Sequence, residues 1–134
     1  MLVVDSSAAL SWALRDEQGS GLALLETMVE EPAIVPVHWI LEVTNALRMA
    51  VQRARLQPEE RHAIVERLEN LSITVDAETV SRGWREIPLL ADRFALTTYD
   101  AAYLELAIRL DLSLATMDKA LARAARAAGV PLLI

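Results

Sequence analysis

Four acidic residues in this sequence can do chemistry together if the fold brings them close to one another. They are Asp5, Glu42, Asp100 and Asp118. Carboxylates held close together repel unless a proton or a cation neutralises them, and their hard oxygen atoms favour Mg²⁺ or Mn²⁺ over softer metals. Such an ion can polarise a phosphoryl oxygen and lower the pKa of a bound water. The set of residues therefore indicates metal-assisted hydrolysis of a phosphodiester.

Two of the acids follow apolar segments that are typical of buried strands. Asp5 comes directly after Leu2–Val4, and Asp118 comes just after Leu112–Thr116 and directly before a helical pattern. Open α/β sheets place their ligands at the carboxyl ends of the strands. If the first and fourth strands are neighbours in the sheet, Asp5 and Asp118 approach each other at that edge.

The other two acids lie on helical patterns. Asp100 falls in the first turn of a helix that follows the loop Thr97–Tyr99. Glu42 shares the polar edge of an otherwise apolar helix with Asn45, because residues three apart lie on the same side of a helix. From that edge Glu42 can project toward the same cleft as the aspartates.

The elements that must position these acids alternate along the chain as short apolar runs and long helical patterns, which is typical of a parallel α/β sheet. The predicted strands are Leu2–Val4, Ala33–Val35, Ser72–Val75, Leu112–Ala115 and Leu132–Ile134. The predicted helices run from Ser6 or Ser7 to about Arg15, from Gly19–Gly21 to about Glu31, from Val37 to about Arg55, from Pro58 to about Asn70, from Ala77 to about Ala95 with an interruption near Pro88, from Tyr99 to Leu110, and from Asp118 to Ala128. In the third helix an apolar stripe is expected to face the core, namely Ile40, Val43, Leu47, Ala50 and Ala54.

Composition limits the classes of function. The 134 residues, 54% hydrophobic and 24% charged, predict a single globular domain over residues 1–134. The absence of cysteine excludes disulfides, thiolate metal sites and cysteine nucleophiles. A net charge of −6 argues against nonspecific wrapping of a long duplex. The chain begins without a basic leader and contains no apolar run of the roughly 18 residues that a membrane span requires, so we expect a soluble cytoplasmic protein.

Each acid also has a simpler interpretation when it is taken alone. Asp5, Asp100 and Asp118 can each be no more than a helix N-cap, and Glu42 can be a solvated or paired acid. His38 lies one helical turn before Glu42, but such a pair without a third ligand is a poor zinc site. Other residues have ordinary expected roles: His62 as an exposed side chain, and Trp12, Trp39 and Trp84 in core or interface packing.

Four segments around the acids carry a more specific signal. They are Val3–Ala8, Leu41–Leu47, Tyr99–Ala107 and Leu114–Leu121. Taken together and in this order, they resemble the PIN domain family of ribonucleases, and within it the VapC toxins of VapBC-type toxin–antitoxin systems. The resemblance spans nearly the whole chain.

This resemblance implies a three-layer α/β/α sandwich with a parallel sheet of about five strands. It also implies an endoribonuclease in which a water activated by Mg²⁺ or Mn²⁺ attacks the phosphodiester. We expect Asp5 and Asp100 to be the most direct metal ligands, with Glu42 and Asp118 binding through water or holding a second ion. Donors that support those carboxylates are expected at Ser6, Asn45 and Thr116.

Partners follow from the same resemblance. VapC-like proteins are typically homodimers, and the apolar stripe of the third helix is compatible with a two-fold contact. A VapB-like antitoxin is expected to cover a groove near the first two helices, lined by Leu10, Trp12, Leu14, Leu22 and Leu25. The substrate is expected to be RNA, and loose candidates for steering it are Arg15, Arg85, Arg93 and Lys119.

Other classes of function fit the sequence less well. A receiver-like phosphoacceptor domain would need a paired acid after Asp5, where Ser6 stands, and a lysine on its last strand. The four glycines form neither a dinucleotide-binding nor a P-loop motif, and there is no G-x-S-x-G elbow of a serine hydrolase. A PIN-fold module that binds RNA or protein without cleaving remains the main alternative.

Overall fold

A parallel sheet of four strands lies at the centre of the computed structural model, which describes residues 1–14 and 20–133. The strands are β1 (Leu2–Val4), β2 (Ala33–Val35), β3 (Ile73–Val75) and β4 (Ser113–Ala115). Their order across the sheet is β3-β2-β1-β4, and every neighbouring pair is parallel. Side chains of β1 are fully buried, as expected for a central strand covered on both faces.

The chain end adds a fifth position to this sheet. Leu132 forms an isolated parallel bridge with Leu114, the Leu114 N–H donates to the Pro131 carbonyl at 2.9 Å, and the Leu133 N–H donates to the Leu114 carbonyl at 3.1 Å. The predicted strand Leu132–Ile134 is thus present as a single bridge beside β4, and Ile134 lies outside the described residues. The fold class predicted from the sequence, with about five strands, is confirmed.

Eight helices connect the strands in the part of the chain that the structure describes. They are α1 (Ser6–Leu14), α2 (Ser20–Glu30), α3 (Trp39–Gln52), α4 (Pro58–Glu69), α5 (Thr79–Arg82), α6 (Glu86–Phe94), α7 (Thr98–Leu110) and α8 (Lys119–Ala127). Most predicted helix ends agree within two residues. The predicted end of the first helix at Arg15 and the predicted start of the second at Gly19 fall outside the described residues.

The strand order determines which face each helix covers. Right-handed crossovers from β1 to β2 and from β2 to β3 place α1–α4 on one face, and the return from β3 to β4 places α5–α7 on the other. In agreement, α7 packs on β1 and β4, and α1 packs on α2 and α3. The direction of winding reverses between β1 and β4, and such a switch point is where ligands bind in open α/β sheets.

The predicted position of the interruption between Ala77 and Ala95 was wrong. The segment from Ala77 to Ala95 forms two helices, α5 and α6, which are separated at residues 83–85 rather than near Pro88. Pro88 lies in the first turn of α6, where its missing N–H would have no helical partner in any case. The break falls at Gly83 instead.

The stripe on α3 is narrower than predicted. Val43, Leu47 and Ala50 are buried as expected, but Ile40 is 49% exposed and Ala54 lies beyond the helix with a φ of 57°. The main contacts of α3 are with α1 and α4, and the side chains that these contacts do not cover are exposed. None of the helices in residues 1–14 and 20–133 combines the length and apolar composition needed to span a bilayer.

A buried ion-pair network attaches α7 to the carboxyl end of β3. Arg109 donates from Nε to both carboxylate oxygens of Glu105 at 3.0 Å, and from Nη2 to Asp76 at 2.7 Å. Its Nη1 reaches Glu78 at 3.2 Å, and the Thr79 hydroxyl donates to Asp76 at 2.9 Å. Because α7 also carries Asp100, this network fixes the helix that presents an acid at the switch point.

The network sets the ionisation of Asp76. Burial acts to raise the pKa of Asp76, but the hydrogen bonds from Arg109 and Thr79 outweigh it and hold the pKa below its ordinary value of 3.8. The ionised carboxylate therefore stabilises the fold. This stabilisation is complete above the ordinary pKa and is lost as the pH falls through the lower pKa of the folded state.

We predict that Arg109→Gln lowers the free energy of unfolding by about 3 kcal/mol at pH 7, because it leaves buried carboxylates without a cation. The loss should shrink only as the pH falls below 3.8 and through the lowered pKa of folded Asp76, where this carboxylate takes up a proton and no longer needs Arg109. Urea denaturation at both pH values measures this. The exposed Arg53→Gln serves as the control, with an expected change within about 0.5 kcal/mol. Equal losses in the two variants would contradict the assigned role of the network.

Candidate active site

Asp5 occupies the switch point between β1 and β4. Val4 pairs with Ala115 in the sheet, so Asp5 and Thr116 leave the sheet side by side. One carboxylate oxygen of Asp5, Oδ1, accepts from the Ser7 hydroxyl at 2.7 Å and from the Ala8 N–H at 2.8 Å. The other oxygen, Oδ2, accepts from the Thr116 hydroxyl. The side chain is thus held in one orientation by donors on α1, which follows β1, and by the residue that follows β4.

The environment of Asp5 disfavours its charge. Burial raises the pKa of Asp5, and the nearby carboxylate of Asp118 raises it further. The hydrogen bonds from Thr116, Ala8 and Ser7 favour the ionised form and partly offset this rise. A buried carboxylate under these opposing effects is a group that a cation would stabilise.

Asp118 reaches the site from the beginning of α8. Its N–H donates to the Thr116 hydroxyl oxygen at 3.0 Å, and its Oδ1 accepts from the Leu121 N–H at 2.8 Å, so it is the N-cap of α8. Ser7 also joins the two loops, because its hydroxyl oxygen accepts from the Met117 N–H at 3.0 Å. Capping therefore gives Asp118 a fixed orientation but does not explain why it lies beside other acids.

Asp100 lies in the first turn of α7, as predicted. Thr97 is the N-cap of that helix, and its hydroxyl oxygen accepts from the Asp100 N–H at 3.1 Å. Burial raises the pKa of Asp100 to about 6, with further contributions from the carboxylates of Asp118, Glu42 and Asp5. Since Thr97 already caps the helix, Asp100 is not needed as a cap, and the repulsion it experiences comes from the other three predicted acids.

Glu42 reaches the same cleft from α3, on the opposite face of the sheet from α7. The Tyr103 hydroxyl donates to Glu42 Oε1, and His38 Nε2 lies 3.7 Å from the same oxygen. Burial and the hydrogen bond to Glu42 raise the pKa of Tyr103, which keeps its phenol protonated as a donor. Tyr103 follows Asp100 by one helical turn, so α7 presents one site acid and also orients another.

The four acids therefore share one electrostatic neighbourhood, although they do not form a closed cage. Within the described residues, no three carboxylate or imidazole groups meet closely enough to form a preformed metal cluster. The donor set still fits a hard cation, because it consists of oxygen ligands whose mutual repulsion raises the pKa of Asp100. Mg²⁺ usually keeps several waters and needs only one or two direct carboxylates, so a closed cage is not required.

Some of the residues expected to donate hydrogen bonds to the four acids do so in the structure, and others do not. Thr116 contacts Asp5 as predicted, but Ser7 makes the serine contact rather than Ser6. The N-cap rule explains the contact with the Ala8 N–H, the third residue of α1, but not the contact with Ser7, which is made by the side-chain hydroxyl. The spacing of three residues from Asp100 could have identified Tyr103.

Asn45 is the expected donor that the structure does not connect to an acid. It is exposed on α3 and has no hydrogen bond to any of the four carboxylates in the described part of the chain. Instead it lines a cleft of ≈ 850 Å³ between α3 and α4, together with Leu41, Arg48 and Arg61. This cleft contains none of the four acids.

Other predicted roles are also resolved by the structure. His38 Nε2 lies 3.1 Å from the Tyr99 carbonyl oxygen and 3.7 Å from Glu42 Oε1. His62 is exposed, as expected. Trp39 packs in the core, whereas Trp84 is 86% exposed and packs in no core of the described chain.

Comparisons with known proteins agree with this geometry. The PIN domain family model matches residues 2–127. Ribonuclease VapC12 of Mycobacterium tuberculosis is 32% identical over 127 residues, which cover 92% of this chain and 91% of that protein. The crystal structure of PAE2754 from Pyrobaculum aerophilum matches with a TM-score of 0.70 at 22% identity, over 98% of this chain and 83% of that one. The structure of VapC20 of Mycobacterium tuberculosis, described as a sarcin–ricin loop cleaving toxin, matches with a TM-score of 0.61 at 17% identity, over 92% of this chain and 95% of that one.

We predict that Asp100→Asn raises the melting temperature of the metal-free protein by about 2–5 °C at pH 8, because it removes a charge that burial and the three neighbouring carboxylates destabilise. In the native protein, ionisation of Asp100 costs stability as the pH rises from 3.8 through about 6. The difference should therefore disappear below pH 4. Thermal unfolding in the presence of a chelator measures it, with the exposed Asp92→Asn as the control. A lower melting temperature of the variant at pH 8, or a difference that does not change with pH, would contradict the claim that the fold destabilises the ionised Asp100 carboxylate.

Proposed function

The chain belongs to the PIN domain family and is related to VapC ribonucleases, and from this premise we propose that it is an endoribonuclease that uses Mg²⁺ or Mn²⁺ to hydrolyse phosphodiester bonds of RNA. One observation carries the proposal. The carboxylates of Asp118, Glu42 and Asp5 all act on Asp100 and help to raise its pKa to about 6. Four acids that are gathered at a switch point against their own repulsion are best explained by a cation that they bind.

The residues that would hold the ion divide into two groups. We assign Asp5 and Asp100 as the most direct ligands, and Glu42 and Asp118 as ligands through water or to a second ion. When bound, the ion would supply charge stabilisation at the phosphoryl group and a water with a lowered pKa. The division rests on placement, because Asp5 and Asp100 lie on the strand end and the helix that converge on the switch point.

The chain itself supplies orientation. Thr116 and Ser7 direct hydroxyl groups at Asp5, so its carboxylate cannot rotate freely. Tyr103 fixes Glu42 in the same way from the other side of the sheet. Preorganised ligands reduce the reorganisation that must occur when substrate arrives, which is how outer contacts tune metal sites.

We predict that discrete cleavage of structured cellular RNA by the purified protein requires Mg²⁺ or Mn²⁺ and stops when a chelator is added. Asp5→Asn should slow the cleavage by about 100- to 1,000-fold, because it removes a ligand charge while keeping the shape of the side chain. Gel analysis of the RNA products measures the rate, and circular dichroism verifies that the variant is folded. Asp92→Asn, on the surface of α6, is the matched control and should cleave at the native rate.

Cleavage that resists the chelator would contradict the proposal. Intact RNA in the presence of folded, metal-loaded protein would favour the alternative of a PIN-fold module that binds without cleaving.

A VapB-like antitoxin is the partner we propose as an inhibitor. A cleft of ≈ 380 Å³ beside Asp5 is lined by Ser6, Ser7, Leu10, Ser11, Leu14, Ala46 and Met117. An apolar segment lying in it would cover the approach to Asp5. Of the five residues predicted for this groove, Leu10 and Leu14 line the cleft, whereas Trp12, Leu22 and Leu25 do not.

We also propose that the protein is a homodimer in the cytoplasm, where its RNA substrate would be found. The predicted stripe on α3 cannot form this contact as a whole, because Val43, Leu47 and Ala50 are buried within the chain. The exposed apolar side chains are Val37 just before α3, at 47%, and Ile40 and Leu41 in its first turn, at 49% and 72%. These neighbouring apolar side chains favour a contact that two copies can share about a two-fold axis.

We predict that Leu41→Glu converts the protein to the mass of a single 14.8 kDa chain, because a two-fold contact places two new charges against apolar surface. Sedimentation equilibrium measures the mass. Leu89→Glu, at a residue on α6 that is 68% exposed, is the control and should keep twice that mass. A single-chain mass for the native protein, or a dimer that Leu41→Glu leaves intact, would contradict this interface.

A further inference from the structure

Helix α8 differs in charge from the rest of this acidic protein. It contains Lys119, Arg123 and Arg126 and no acidic residue. The protein as a whole has 13 basic and 19 acidic residues, with a net charge of −6. Among the described helices longer than one turn, α8 is the one that carries basic residues alone. An excess of positive charge is therefore concentrated on one element.

The three cations lie on one side of α8. Their spacing of four and three residues places them in a row on the surface of a helix. All three are exposed, while Leu121, Ala124 and Ala125 on the other side are buried. We call the row formed by Lys119, Arg123 and Arg126 the α8 basic face.

Internal contacts do not account for the α8 basic face. None of its three cations has a carboxylate within 4.0 Å in residues 1–14 and 20–133. Like charges three and four residues apart destabilise a helix, and Lys119 stands in the first turn, at the positive end of the helix dipole. The helix dipole favours Arg126, which stands in the last turn of α8, but helix stability gives no reason for Lys119 or for three like charges at this spacing, which points to an external anion.

The position of the α8 basic face connects it to the candidate active site. Asp118, the N-cap of α8, directly precedes Lys119, so the first cation of the α8 basic face is adjacent in sequence to one of the four acids. Further along, Arg123 and Arg93 both line a cleft of ≈ 370 Å³ between α6 and α8. The guanidinium of Arg93 lies over the ring of Phe94, 5.2 Å from its centroid. Arg93 likewise has no ion-pair partner in the described structure, so a fourth cation borders the same surface.

We propose that the α8 basic face binds phosphate groups of the RNA strand next to the cleaved bond, and so serves as the electrostatic track that brings RNA to an otherwise acidic protein. The inference rests on the proposed function, because it takes RNA as the substrate. Arginine side chains suit this role, since their planar guanidinium groups bind phosphate through two hydrogen bonds. Contacts to phosphates position the strand without selecting its bases.

The test compares Arg123→Gln/Arg126→Gln with Arg53→Gln/Arg55→Gln. Both double variants lower the net charge by two, but Arg53 and Arg55 follow the C-terminal end of α3, the end far from Glu42. We expect the α8 variant to raise the KM for RNA about tenfold with little change in kcat, and the control to change KM less than about twofold.

Binding is measured separately on the Asp100→Asn background, so that the RNA stays intact. The probe is a fluorescent single-stranded RNA of about 20 nucleotides, longer than common single-strand site sizes. Loss of two phosphate contacts should reduce the slope of log affinity against log salt by about 1.4, and Arg123→Lys/Arg126→Lys should restore the native slope. The lysine variant distinguishes lost charge from damaged structure.

The outcomes separate the two proposals. If the native protein cleaves RNA and the α8 variant matches the control in KM and salt slope, the α8 basic face is not the track and the proposed function stands. If the native protein cuts no RNA but the α8 variant still loses binding and salt dependence, the α8 basic face binds RNA phosphates as proposed, while the proposed function, and with it the place of the face beside a cleaved bond, fails.

Discussion

Mutual repulsion among four carboxylates is the constraint on which the rest of this structure depends. Asp5 is almost fully buried and Asp100 is driven to a pKa of about 6, both costly states for groups that are charged at neutral pH. The fold tolerates them because each carboxylate is held by a donor or lies at a helix start. Asp5 accepts three hydrogen bonds, Glu42 accepts from Tyr103, and Asp118 caps α8. A divalent cation would relieve the remaining repulsion and provide the proposed chemistry at the same place.

Helix α7 joins the stability of the protein to its proposed function. The first turn of α7 carries Asp100, and one turn later Tyr103 orients Glu42. Near the other end of the helix, Arg109 forms ion pairs with Asp76, Glu78 and Glu105. The ion-pair network supplies Asp76, Glu78 and Glu105 with a shared cation, Arg109, and needs no ligand for this. Among the described residues, no lysine or arginine pairs with the switch-point acids, although His38 lies 3.7 Å from Glu42. One helix thus carries an ion-paired cluster at one end and presents acids without a lysine or arginine partner at the other, which separates the structural task from the proposed catalytic one.

Much of this arrangement could be predicted from the sequence because it depends on local patterns. The apolar segment before Asp5 identifies β1, and the alternation of strands and helices gives the fold and the edge at which the acids meet. The details that were wrong or missed depend on contacts between distant residues or on exact helix starts. Ser7 rather than Ser6 reaches Asp5 through its hydroxyl, a contact that capping by backbone N–H groups does not predict. Ile40 is exposed although the rest of the stripe on α3 is buried at Val43, Leu47 and Ala50. In the Arg109 network, the pair with Glu105 four residues earlier follows a local pattern, but the contact with Asp76 spans 33 positions and no local pattern marks it.

The most direct measurement is a crystal structure of the protein soaked in Mn²⁺, with anomalous scattering recorded to locate the metal. The account predicts an anomalous peak at the carboxyl edge between β1 and β4, coordinated by an oxygen of Asp5 or Asp100 and by waters that reach Glu42 and Asp118. A fully soaked crystal with no peak among these acids, or with manganese bound only elsewhere, would contradict the claim that the four carboxylates are gathered to hold a metal ion.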